Sequence, residues 1–264
     1  MSLMVLAEGG EGYSPPGAED FKLPAVFDIG SVEITKPYLM AMLAMLVLVA
    51  FFYLASRKAA LVPSRLQFAG EGIYGFVRRD LGRDILGSES FLKFLPLIFS
   101  LFIFVALNNV FGIVPLIQFP TMSLIGFPIA LTLVVWVTYL FVGIRKKGPI
   151  GYFKQEMFPP GVPWWVYFVL SPIELAKVVL VQPLTMALRL FANMFAGHLL
   201  LLVFILGGEY MLLHGEGLVP ILSIGAFAMG IVMTFFELLV QLLQAYVFAL
   251  LTALYLAASL SEEH

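Results

Sequence analysis

Three side chains able to handle protons or ions fall inside one apolar stretch, TMALRLFANMFAGHLLLLVF at residues 185–204: Arg189, Asn193 and His198. A second apolar stretch carries Glu237, Gln241 and Gln244. At about 100° per residue, Arg189 and Asn193 share a helix face. His198 points roughly the opposite way, about 13 Å further along the axis. Glu237, Gln241 and Gln244 form one stripe, a turn apart each. A charge at mid-bilayer costs at least about 2.5–3.5 kcal/mol on insertion scales, and Arg189 has no acidic residue within a helical turn. Ionisable and amide groups on neighbouring membrane helices point to passage of protons or ions.

Each of these residues also has a plainer role. Arg189 can snorkel or join a structural ion pair, although a mid-helix position makes snorkelling poor. A buried Glu237 can take up a proton, and His198 can be a packed, hydrogen-bonded histidine. Asn193, Gln241 and Gln244 can hold helices together through hydrogen bonds. Asn108 and Asn109 can bond to backbone near Gly112 and Pro115. Glu174 and Lys177, at i and i+3, fit a local ion pair, with Glu174 also placed for a cytoplasmic path. His214 reads as a solvated loop residue.

The elements that must position these residues are membrane spans. The chain of 264 residues is 61% apolar and 12% charged, about half the charged fraction of a soluble domain. It has no cysteine, which excludes disulfides, thiolate metal sites and thiol chemistry. Apolar runs at about 37–56, 92–114, 122–144, 172–206 and 217–260 predict five crossing helices. The last has no proline after Pro220 and no turn cluster, so as one helix it reaches on the order of 60 Å and must tilt. The fourth and fifth runs are expected to pack as a long inclined hairpin, its antiparallel halves bringing His198 near Glu237.

Seven Lys and Arg lie in segment 57–93 and four in 145–154, which places both in the cytoplasm. The amino end and the loop around Pro115–Pro120 then lie outside, and the carboxyl end inside. Trp164 and Trp165 suit an interfacial belt. Residues 1–36 form an acidic leader ahead of a single transmembrane domain at 37–264. Between the first two spans, Leu66, Ile73, Val77, Leu81 and Ile85 recur loosely on one face and predict an interfacial amphipathic helix. The fold class is an all-α integral membrane protein, without the internal repeat of inverted-repeat transporters. The start of the chain lacks the marks of a signal or transit peptide, which makes a bacterial plasma membrane the simplest address.

The stretch LRLFANMFAGH at 188–198, preceded by PLTM and followed by LLVQLLQAYVFALLTALYL at 238–256, closely resembles the a subunit of F-type ATP synthases. NNVFGIVP at 108–115 is similar to that family's Asn-x-x-Gly-x-x-Pro stretch. The resemblance implies a non-catalytic stator beside a rotating ring of c subunits, with b subunits of the peripheral stalk and membrane lipid as its other partners. It implies no cofactor and no nucleic acid. In that family two offset half-channels load ions onto a ring carboxylate from outside and release them to the cytoplasm. By position, Arg189 matches the essential arginine that faces the ring carboxylate. Asn193, Asn109 and Gln244 match polar residues associated with the path. His198 and Glu237 match an acid–base pair whose order is reversed in some relatives. Gln182 stands where many relatives carry a basic residue.

The competing class is an independent secondary transporter or channel. Such a protein needs a midplane site within one chain, usually at helix breaks, and Pro183 is the nearest approach to one. No nucleophile–base arrangement, phosphate loop or HExxH motif supports an intramembrane enzyme.

Overall fold

A computed structural model describes residues 15–17, 21, 25–29, 32–57, 60, 62–114, 119–158 and 163–261. Readings made on Glu8, Glu11, Glu19, Asp20, Lys22, Lys58, Pro115 and residues 262–264 lie outside the described residues. Five helices are long and apolar enough to cross a membrane: Lys36–Ser56, Leu92–Phe111, Gly126–Lys147, Tyr167–His214 and Val219–Leu260. These match the five apolar runs, with the fourth helix extending well past 172–206 at both ends.

The described part of the leader contains an antiparallel hairpin, β1 (Ala25–Ile29) and β2 (Val32–Thr35), with Asp28 opposite Glu33. It leads directly into α1 (Lys36–Ser56), where Pro37 sits in the first turn and needs no amide donor. Helix α1 is apolar on all sides and buries only Pro37, Ala44 and Ala55 against its own chain. Such a helix belongs in lipid or against a partner.

Helix α2 (Arg65–Phe76) starts at Ser64, whose hydroxyl accepts from the Gln67 amide at 3.3 Å. A wider π-helical stretch, Val77–Arg83, joins it to α3 (Asp84–Phe111). The chain folds back between these helices. Tyr74 and Phe99 have ring centroids 5.6 Å apart, and Phe76 and Phe102 5.8 Å, whereas a straight helix would separate Tyr74 from Phe99 by about 37 Å. The amphipathic helix expected between the first two spans is therefore present as α2 and its π-helical continuation. Val77 and Leu81 from its apolar face are fully buried among Leu95, Ile98, Ala249 and Ala253, while Leu66 remains exposed.

After α3, a 3-10 turn at Thr121–Ser123 precedes α4 (Gly126–Lys147). Arg145, Lys146 and Lys147 close α4 with positive charge, which suits the carbonyl end of a helix. Gly148, at φ +75°, turns the chain into the short α5 (Pro149–Met157). Tyr152 on α5 is buried against Gly143, where a Cβ would clash with the edge of the tyrosine ring. Burial pushes the Tyr152 phenol above its usual pKa, and its hydroxyl is hydrogen-bonded to Ser259. Lys146 Nζ donates to the Leu260 carbonyl at 2.8 Å. These contacts pin α4 and α5 to the far end of the final helix. Gly143→Val is expected to displace Tyr152 and destabilise the fold by about 1–3 kcal/mol, read as a lower Tm of the detergent-solubilised complex. Gly126→Ala, where an added Cβ meets nothing within 4 Å, should leave Tm unchanged. Equal Tm values for Gly143→Val and the parent would contradict this packing account.

Helix α6 (Tyr167–Ala176), a π-helical turn at Lys177–Val181, and α7 (Gln182–His214) follow one another without a break. In an α-helix the Pro183 ring would press on the Val179 carbonyl and offer it no donor. The wider turn that includes Val179 relieves this conflict. The carbonyl of Val178 in the same turn accepts from Trp136 Nε1 and the Tyr139 hydroxyl, each at 3.1 Å. Gly217, at φ +63°, then helps reverse the chain into α8 (Val219–Leu260). Helix α8 has 42 residues and is about 63 Å long, so the long hairpin read from the sequence is the central feature of the fold. Its helices approach closely at Gly208 against Ala226 and Phe227, and at Gly197 against Glu237. The core lies where α3, α4, α7 and α8 converge, around Val105, Val135, Leu190, Met194 and Phe248.

Candidate ion path in the α7–α8 hairpin

Arg189 and Asn193 are exposed on α7, and His198 is buried. The opposite-face arrangement expected from helical geometry is therefore what the fold builds. Among the described residues, no hydrogen bond or ion pair reaches Arg189. Its exposed neighbours Leu184, Leu188, Ala192 and Ala196 are apolar. Thr185, also exposed, turns its hydroxyl to the Val181 carbonyl at 2.7 Å. Arg189 is thus a cation on an otherwise apolar outer surface of a spanning helix. Asn193, one turn on, reaches across the hairpin, its Nδ2 donating to Gln244 Oε1 at 2.6 Å. Gln244 itself is buried, so this bond links the outer Arg189 face to the interior stripe of α8.

Glu237, Gln241 and Gln244 are all buried, as a single inward stripe requires. Glu237 lies against Gly197, where an added Cβ would stand 3.3 Å from its Oε1 and from its Cγ. The glycine makes room for the Glu237 carboxyl between the two helices. Gln241 Nε2 donates to Glu237 Oε1 at 2.9 Å, and the Gln241 carbonyl accepts from Asn109 Nδ2 at 3.1 Å. Glu237 thus has Gln241 rather than His198 as its hydrogen-bond partner, with the imidazole on the residue next to Gly197. Gln241, read from sequence only as helix glue, sits between Asn109 and Glu237. Asn108 does bond to backbone as expected, donating to the Phe104 carbonyl at 2.8 Å.

Several buried polar atoms here lack a protein partner: Asn109 Oδ1, His198 Nδ1, Glu237 Oε2 and Gln241 Oε1; Asn108 Oδ1, Thr121 Oγ1 and Thr132 Oγ1 also lack one. An unmade hydrogen bond in a dry interior costs about 1–3 kcal/mol. Clusters of such atoms are what ordered internal water satisfies. The site thus offers an imidazole, a carboxyl and amide groups with hydrogen-bonding capacity left over.

Phe21 is a contributor that the sequence did not reveal. It is 5% exposed, with its ring centroid 4.7 Å from Phe195, 5.8 Å from His198 and 6.4 Å from Phe119. No periodicity in the leader could have signalled that contact. At the other end of the hairpin, Glu174 and Lys177 form the expected local ion pair. Gln182 Oε1 lies 3.2 Å from the Tyr139 hydroxyl, which shares its proton between that oxygen and the Val178 carbonyl. His214 is exposed and stacks on Tyr210, with centroids 4.9 Å apart. Trp164 and Trp165 are 85% and 65% exposed, as an interfacial belt requires.

Comparison with known proteins places this geometry in a family. The sequence model described as ATP synthase A chain matches residues 38–257, most of the chain and all five long helices. The ATP synthase subunit a of a Nocardioides species is 48% identical over 273 residues, covering 100% of this chain and 98% of the relative. The ATP synthase subunit a of Pseudarthrobacter chlorophenolicus is 42% identical over 261 residues, 98% of each. That of Rhodococcus erythropolis is 37% identical over 265 residues, covering 100% of this chain and 96% of the relative. The chain belongs to the ATP synthase A chain family.

Proposed function

We propose that the chain is the stationary membrane subunit of a rotary ATP synthase, carrying protons to and from a ring of c subunits through two offset half-channels. The observation that carries this reading is Arg189, an exposed cation on a largely apolar face of α7 with no hydrogen-bond or ion-pair partner among the described residues. In lipid such a charge is costly; against a carboxylate on a neighbouring subunit it is stabilised. His198, Glu237, Gln244 and Asn109 border the outward half-channel, and Asn193 ties it to the Arg189 face. Protons enter from outside, pass between these groups and load the ring carboxylate. After nearly a full turn they leave toward the cytoplasm, on the side where Glu174 lies. Arg189 separates the two half-channels. The chain sits in a bacterial plasma membrane, with its amino end outside and carboxyl end inside. The b subunits of the peripheral stalk hold it against rotation.

An independent transporter works alone, whereas a stator does not. The purified chain in lipid vesicles should show no proton flux above empty vesicles, and adding the c ring and b subunits should restore it. Flux from the chain alone at the rate of the complete membrane sector would contradict the stator reading.

A further inference from the structure

We infer that Thr121, on the 3-10 turn between α3 and α4, supplies a hydroxyl to the outward path, and that this turn forms its outer wall. The inference rests on the proposed path through His198 and Glu237 and adds a residue to it. The Thr121 side chain is 0% exposed, and its Oγ1 has no hydrogen-bond partner. The turn does not need this hydroxyl: the Ser123 and Leu124 amides are taken by the Pro120 and Thr121 carbonyls, and Ser123 Oγ donates to the Pro120 carbonyl at 2.7 Å. A buried hydroxyl without a structural task is placed for internal water.

A chain of contacts locates it. Pro120 packs so closely on Gly112 that a Cβ there would stand 3.0 Å from the proline Cβ and 3.1 Å from the Asn109 carbonyl. Asn109 bonds to the Gln241 carbonyl, Gln241 to Glu237, and Glu237 lies against Gly197 beside His198. From the other direction, Phe21 touches both His198 and Phe119, the residue before Pro120. The turn packs against α7 and α3 together, and Met122 shares a buried cluster with Met194, one turn from His198. Contacts and chain neighbours together therefore link Thr121 into a circuit through Asn109, Gln241, Glu237, His198 and Phe21. Within that circuit Asn109, Gln241, Glu237 and His198 each present an unpartnered polar atom.

The test uses the assembled membrane sector in vesicles, with passive proton flux as the readout. Thr121→Val, which keeps the shape and removes the hydroxyl, should lower flux several-fold in an intact sector. Thr121→Ser should retain most of it. Thr121→Cys introduces the chain's first thiol. Despite its burial, it should react with a membrane-impermeant methanethiosulfonate added from outside and block flux on reaction, which a merely packed side chain would not do. Parent-like flux in Thr121→Val, or an unreactive Thr121→Cys, overturns the assignment. If Thr121→Val does not assemble, cysteine reactivity decides alone: reaction with block supports the assignment, and no reaction overturns it. Glu237→Leu run in parallel separates the two readings. Normal flux in Glu237→Leu removes the path and Thr121 with it, whereas block by Glu237→Leu with parent-like Thr121→Val removes Thr121 only.

Discussion

Arg189→Ala is expected to abolish ATP-driven proton pumping and ATP synthesis while the complex still assembles. Assembly should survive because the side chain is exposed and no hydrogen bond or ion pair among the described residues depends on the guanidinium. Function fails because the charge acts on the partner. At 4 Å and an effective dielectric near 20, a positive charge favours an ionised carboxylate by about 4 kcal/mol, roughly a thousandfold. That bias makes the ring carboxylate release its proton on approach and stops protons passing directly between half-channels. Lysine is a poor replacement, because a desolvated ammonium gives up its proton and guanidinium does not. Near-normal ATP synthesis in Arg189→Lys would show that a permanent charge barrier is the wrong account.

The second large effect concerns the buried acid. Glu237→Leu is expected to lower proton flux through the membrane sector at least tenfold. It removes a titratable group and leaves the Gln241 side-chain amide facing hydrocarbon, which dries the path. Glu237→His combined with His198→Glu should recover part of the loss. The relay needs one acid and one base near each other, and Gly197 leaves the room in which either order fits. Flux measured in vesicles for both single variants and the double variant is the check. Normal conduction in both singles would reduce His198 and Glu237 to packing residues.

The membrane-embedded framework was legible because lipid leaves a chain few options. Every backbone group must be satisfied internally, so a long apolar run becomes a helix. The missing breaker between Pro220 and Leu260 translated directly into the 42-residue α8. Helical geometry alone also put Arg189 and His198 on opposite faces, and the fold exposes the first and buries the second. Four things were harder to read. The β1–β2 hairpin is encoded in a short alternating run, VEIT, after a Gly-Ser pair, a signal easily lost inside an acidic leader. The fold-back of α2 onto α3 lies within a region helical on both sides, and aromatic contacts such as Tyr74 with Phe99 define it. The Asn193–Gln244 and Asn109–Gln241 bonds span 51 and 132 residues. Such pairings depend on helix rotation and register, which one sequence without coupled partners leaves open. Phe21 and Thr121 reach the same interior from loops, where no periodicity marks a buried face.

The most direct measurement is disulfide crosslinking across the proposed stator–ring boundary. Ala192 and Ala196 are exposed small residues on the face of Arg189 and Asn193, and the chain has no cysteine of its own. Cysteines placed there and on the ring helix that bears the carboxylate should crosslink on mild oxidation and halt rotation-coupled ATP hydrolysis. Met42→Cys on α1, equally exposed, should not crosslink to that helix. Failure at both α7 positions in an assembled complex would contradict the claim that Arg189 faces the ring.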